Sequence, residues 1–264
     1  MEGTGTENII LICEDSMEGI LTGIYEAYAL RMPHDKISLQ IGEEANFRLF
    51  TTYRKVVPEA VKAEKVMRTL KQRFWEKDYH DLFMALAAGD NRKAEAVYKT
   101  VVWGLSGKCK GSILAHMTDD AVRTVVELAR RAGNELQRMR EFLRFSEMEN
   151  GILYALIGPK DNVLPMVTAH FADRLPMENF LIFDEVHNLY AIHPAGKEWF
   201  LMSGNVVEDK EDRTMEMSAT EEYYQELFRG FCHSISIESR KNLKLQMNML
   251  PLRFRPYMVE FQKK

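Results

Sequence analysis

Seven apolar residues, Val125, Leu128, Ala129, Ala132, Leu136, Met139 and Leu143, follow the three-four spacing of one helix face between Asp119 and about Phe145. A periodic stripe of that length specifies a long amphipathic helix, and burying it requires a partner surface along most of its length. Asp119-Asp120 places acidic side chains where the positive end of the helix dipole favours them. Shorter helical patterns run over Met17 to Leu30, Glu59 to Trp75, Asp78 to Ala88, Asn91 to Leu105, Asp161 to Arg174 and Thr220 to Ile235.

Strand patterns lie on either side of the central helices. Ile9-Ile10-Leu11-Ile12-Cys13 is a continuous, largely β-branched run, as in a strand covered on both faces. Ile37 to Ile41 alternates as a second strand, and a third falls within Phe47 to Val57. Further on, Gly151 to Ile157 and Phe180 to Asp184 read as strands, with Asn188 to His193 and Glu198 to Met202 as their partners. The resulting expectation is a helix-rich α+β fold. It has a small N-terminal αβ unit (8–57), a helical region with the long Arg-rich helix (58–146), a strand-containing region with a small, mostly antiparallel sheet (147–202), and a C-terminal helix with a basic tail (220–262). All of these are read as one domain over residues 8–262.

With 264 residues, 46% hydrophobic and 28% charged, the chain has the composition of an ordinary globular protein. Its formal net charge of -4 supplies no global field for nucleic acid, so any such contact must be local. The three cysteines, Cys13, Cys109 and Cys232, form no CxxC pair, which argues against a zinc knuckle or a disulfide framework. No stretch approaches the roughly 20 apolar residues of a membrane span, and no basic leader precedes the first strand. The expected setting is the cytoplasm, without membrane contact.

Charge is concentrated in two places. The long helix carries Arg123, Arg130, Arg131, Arg138, Arg140 and Arg144 against Asp119, Asp120, Glu127, Glu135 and Glu141. Two readings are open: a solvated face laced with i,i+4 pairs, or an arginine comb whose planar forks grip phosphates. The segment 229–264 holds eight Lys or Arg against two Glu, with Phe231, Phe254, Tyr257 and Phe261 among them. These rings either stack on bases or anchor the tail to the core. Between strands and final helix, Ser203 to Thr220 is polar and acidic and reads as a linker.

Catalytic patterns are few. Gly104 to Cys109 resembles a phosphate loop but lacks its first glycine and its Ser or Thr after Lys108. His187 and His193 share strand parity without an obvious third ligand, so no metal site is expected. Glu135, His170, Arg174 and Asp184 remain as candidates for acid–base work, with Arg as an anion clamp. The plainer reading of these groups is structural ion pairing.

Several strings occur together in order: Glu18-Gly19-Ile20-Leu21, Ala129-Arg130-Arg131 with Glu135, Phe142-Leu143-Arg144-Phe145, His170-Phe171-Ala172-Asp173-Arg174, Ile182-Phe183-Asp184, Ser239-Arg240-Lys241-Asn242 and Leu250-Pro251-Leu252-Arg253-Phe254. With these the chain resembles the bacterial family labelled "probable DNA metabolism protein", a domain of unknown function, from about residue 9 to 262. The resemblance implies an accessory role in DNA repair or modification. It further implies a radical-SAM protein encoded nearby, and a kinship with domains fused to uracil-DNA glycosylase-like domains. It picks out Arg130, Arg131, Glu135, Arg138, Arg144, His170, Arg174, Arg240 and Arg253; the expected nucleic-acid contacts are Arg130, Arg131, Arg138, Arg144, Arg240, Lys241 and Arg253, and the expected partners are DNA and the radical-SAM protein. No cofactor is implied for this chain, since the radical-SAM cysteines are missing from it. The sequence departs from the family pattern at Phe254-Arg255, where two aromatics are expected, and at His187, where an arginine is expected.

Overall fold

A computed structural model describes residues 8–42, 48–108, 111–204 and 216–262. The chain is a helix-rich α+β protein and divides into two compact units, residues 1–134 and 135–264.

The first unit begins with a parallel β-α-β crossover. Strand β1 (Asn8–Cys13) enters helix α1 (Met17–Ala29) through Ser16, whose Oγ accepts the Gly19 N–H at 3.0 Å. This cap satisfies one of the N–H groups that a helix start leaves unpaired. The stripe Ile20, Leu21, Ile24 and Ala27 is buried as its spacing requires. Strand β2 (Ile37–Ile41) pairs parallel to β1 with Ile9 beside Ile37, and β3 (Thr51–Lys55) pairs parallel on the other side, giving the order β2-β1-β3. Helices α2 (Ala60–Arg73), α3 (Glu76–Ala87) and α4 (Lys93–Leu105) follow.

Buried polar groups tie these helices down. Glu95 on α4 accepts the Leu39 N–H at 2.8 Å, covering part of the open edge of β2. Asp78 on α3 accepts from Ser112 Oγ at 2.6 Å and from the Ile113 N–H at 2.9 Å. Lys93, almost wholly buried, meets Asp15 at 2.6 Å. The long helix α5 (Asp120–Phe142) is N-capped by Asp119, whose Oδ1 accepts the N–H groups of Ala121 and Val122.

The second unit is built on a mixed sheet in the order β4-β5-β6-β7-β8. Its strands are β4 (Ser146–Glu147), β5 (Leu153–Ile157), β6 (Phe180–Asp184), β7 (Leu189–His193) and β8 (Phe200–Ser203). Only the β5–β6 pairing is parallel, because helix α6 (Leu164–Arg174) crosses between those strands; the other three are antiparallel. Period-two burial puts Ala155, Ile157, Phe180, Ile182, Asp184, Ala191 and His193 on one face. Phe180 stacks on His193 with ring centroids 4.5 Å apart. Helix α7 (Ala219–Ser234) and the short helix α8 (Leu243–Met249) follow.

Three elements differ from the sequence expectations. Helix α6 starts at Leu164, not Asp161, because Pro165 suits only a first turn. Two-residue β4 is too short to leave a period. The basic tail contains α8, capped by Asn242 Oδ1 on the Leu245 N–H at 3.0 Å, and then 3-10 segments over Leu252–Tyr257 and Val259–Phe261. Most of the acidic linker (205–215) and Cys109 lie outside the described residues.

Candidate functional site

The parallel β5–α6–β6 crossover creates the second unit's most distinctive place, the carboxyl ends of its two strands. Ile157 and Asp184 are register partners there. In parallel sheets this edge is where loops gather polar groups and where ligands settle. Two local clusters occupy it, and a third lies on α6 in the same unit.

The first cluster centres on Glu135, 3% exposed. Its Oε2 accepts the backbone N–H of Asp161 in the loop after β5 at 2.8 Å, and its Oε1 lies 2.7 Å from Arg253 Nη1. Arg253 in turn lies over the buried ring of Phe254, with Cζ 4.6 Å from the centroid, and Arg138 Cζ stands 5.9 Å from the same ring. Phe142 packs beside it, its centroid 5.7 Å away. Phe254 is therefore an anchor for the tail and presents no face for base stacking.

The second cluster closes β6. The fully buried Asp184 accepts the N–H groups of Val186 and His187 through Oδ1, at 3.0 and 3.1 Å, and meets His187 Nδ1 at 2.7 Å through Oδ2. Next to it, Tyr257 donates its hydroxyl proton to Glu185. Burial, and then that bond to a carboxylate, push the Tyr257 phenol up to about 12. A Cβ on Gly158 would overlap the Tyr257 hydroxyl and lie 2.7 Å from its Cζ, so only glycine lets the ring cross the end of β5. Gly158→Ala is expected to cost about 1–3 kcal/mol by overpacking. In a Tyr257→Ala background the same change should cost almost nothing; a double-mutant cycle on denaturant midpoints measures the difference.

The third cluster surrounds His170 on α6. Arg174 lies one turn on, and Arg140 of α5 acts on it electrostatically. Arg174 is exposed, and neither arginine forms an ion pair among the described residues. The Nε of Arg140 is buried without a hydrogen-bond partner. Burial lowers the His170 pKa, and Arg140 and Arg174 lower it further against the opposing pull of Asp173.

These placements bear on each residue singled out above. No hydrogen bond or ion pair joins Glu135, His170 and Asp184 to one another among the described residues, so the four acid–base candidates fall into three separate groups. Arg144 reaches Glu260 at 2.9 Å and also donates to the Glu141 carbonyl. Arg240 and Lys241 are exposed after α7. In the first unit Arg130 is exposed and forms no ion pair among the described residues, while Arg131 lies 3.4 Å from Asp90. Arg92, and then Arg131, hold the Asp90 carboxyl down at about 2. Arg123 pairs with Asp120, and Glu127 faces Arg92 at 3.5 Å.

Glu185 and Asp161 carry no signal in the sequence as site residues, and Arg140 and Tyr257 are visible there only as one arginine of the helix and one ring of the tail. Only the Asp184-x-x-His187 spacing carried a local signal, that of an Asx turn. His193, the other histidine of that pair, gives its Nδ1 to the Glu178 carbonyl at 2.9 Å. Among the described residues no three His, Cys, Asp or Glu side chains gather as a metal site, and no helix is long and apolar enough to cross a membrane.

Fold and site together define a helix-rich α+β protein whose second unit places buried carboxylates, Glu135 and Asp184, beside the ends of β5 and β6. The chain belongs to the family described as a domain of unknown function, DUF4130, which it matches over residues 91–260. No curated protein matches it. Among solved structures it is similar to a DHH domain described as a member of a family of ribosomal proteins, at 10% identity and a TM-score of 0.30, over 70% of this chain and 73% of that one. A likeness that slight carries no argument.

Proposed function

We propose that this chain is an accessory protein of DNA repair or modification that holds nucleic-acid phosphates on the arginines around His170. The supporting observation is the pair Arg140 and Arg174, which depress the His170 pKa and have no carboxylate partner among the described residues. A positive field that Asp173 offsets only in part favours an external anion, and guanidinium forks match phosphate geometry. The sequence resemblance supports DNA as the source of that phosphate and a radical-SAM protein as the partner that performs the chemistry.

Fluorescence anisotropy with single- and double-stranded oligonucleotides tests the reading. Binding is expected at low salt, and Arg140→Ala and Arg174→Ala should each lower the salt slope by about 1. Bound phosphate should raise the depressed His170 pKa, so complex formation takes up a proton and affinity rises as pH falls through the ordinary histidine range. His170→Gln should abolish that pH dependence. Absence of binding at low salt would sink the proposal.

A further inference from the structure

Helix α7 is mounted with its polar side inward. Its buried residue is Gln225, whose Nε2 donates to Ser146 Oγ at 3.0 Å. Arg229, one turn on, donates to the Val259 carbonyl and to Gln225 Oε1, both at 3.2 Å. The opposite side carries Tyr223, Tyr224, Leu227, Phe228, Phe231 and Ile235, each between 38% and 63% exposed. An amphipathic surface helix ordinarily does the reverse. A contiguous exposed stripe of this kind marks an interaction surface, unlike scattered single apolar residues.

We propose that this stripe is the interface of a homodimer, in which α7 of one copy packs antiparallel on α7 of a second copy about a two-fold axis near Leu227 and Phe228. Two observations select that occupant, and antiparallel pairing also opposes the helix dipoles. First, the stripe is self-complementary. The same axis brings Tyr224 toward Phe231 of the other copy, and Leu227 toward its Phe228. Second, the area suffices. The six side chains expose about 600–700 Å² per copy, so pairing buries about 1,200–1,400 Å², within the range of stable specific interfaces. The chain's own segment 205–215 is a poor alternative cover, since its apolar residues are only Val206, Val207 and Met215, beside the charged run 208–213.

Sedimentation velocity on the full chain tests this. A species of twice the 30.7 kDa chain mass is expected, and Leu227→Glu with Phe231→Glu should return it to a monomer with an unchanged helical circular-dichroism signal. Orientation is read by oxidative cross-linking after replacing Cys109 and Cys232 with serine. Leu227→Cys, beside the axis, should give a covalent dimer, whereas Ile235→Cys should not. A monomer at every concentration overturns the proposal, as does a dimer indifferent to the two glutamates. Cross-linking through position 235 in place of 227 overturns the antiparallel arrangement.

Discussion

Glu135→Leu is expected to lower the unfolding free energy by about 3 kcal/mol, the low end of the range for breaking a buried ion pair. The change leaves the Arg253 guanidinium without its ion-pair partner and the Asp161 N–H without its acceptor. Arg253 keeps the effect from being larger, because its side chain is 34% exposed and recovers some hydration. Glu135→Gln, which retains an acceptor for the Asp161 N–H, should cost about half as much. The loss should appear first in the tail, since Glu135 is one of the groups holding the turn Leu252–Tyr257. Denaturant unfolding gives the magnitude, and trypsin cleavage after Arg253 should accelerate in the variant. If cleavage and midpoint both match the unaltered chain, Glu135 does not secure the tail.

Gly23→Val should be comparably damaging, at about 3 kcal/mol, though glycine in the middle of a helix looks like a weakness. A Cβ there would overlap Cys13 Sγ on β1 and lie 3.2 Å from Leu39 Cδ2 on β2. Glycine is thus what lets α1 sit down on the parallel sheet. Valine adds two more methyl groups at the closest approach, so the helix must lift along its length. Gly23→Ala should be intermediate, and Cys13→Ala should relieve part of either loss. Thermal unfolding of the single and combined variants reads the coupling; strict additivity would show that α1 and β1 do not meet at this point.

Gly23 also illustrates what a sequence conceals. Periodicity announces that α1 is a helix and which side is buried, but not that its axis must come within a side chain's width of β1. The arginines make the same point. Their number and spacing are local facts, whereas their counter-ions are not. Arg131 finds Asp90, Arg144 finds Glu260 and Arg253 finds Glu135, across 41, 116 and 118 residues of chain. Arg140 and Arg174 find no carboxylate among the described residues, and nothing in the helix pattern separates them from the others.

Sequence alone determined the helix-rich α+β class, the αβ start of the chain, and the strands Phe180 to Asp184 and their antiparallel neighbours, because each rests on a local period of side-chain burial. It also placed the long helix and its buried seam, which define most of α5. Tertiary structure alone decided which polar groups meet at the carboxyl edge of β5 and β6, which arginines are already neutralised, and that α7 faces its apolar side outward. The physical reason is the range of the forces. Burial periodicity repeats every two or 3.6 residues and is written along the chain, whereas an ion pair or an exposed stripe depends on what distant segments bring to the same place.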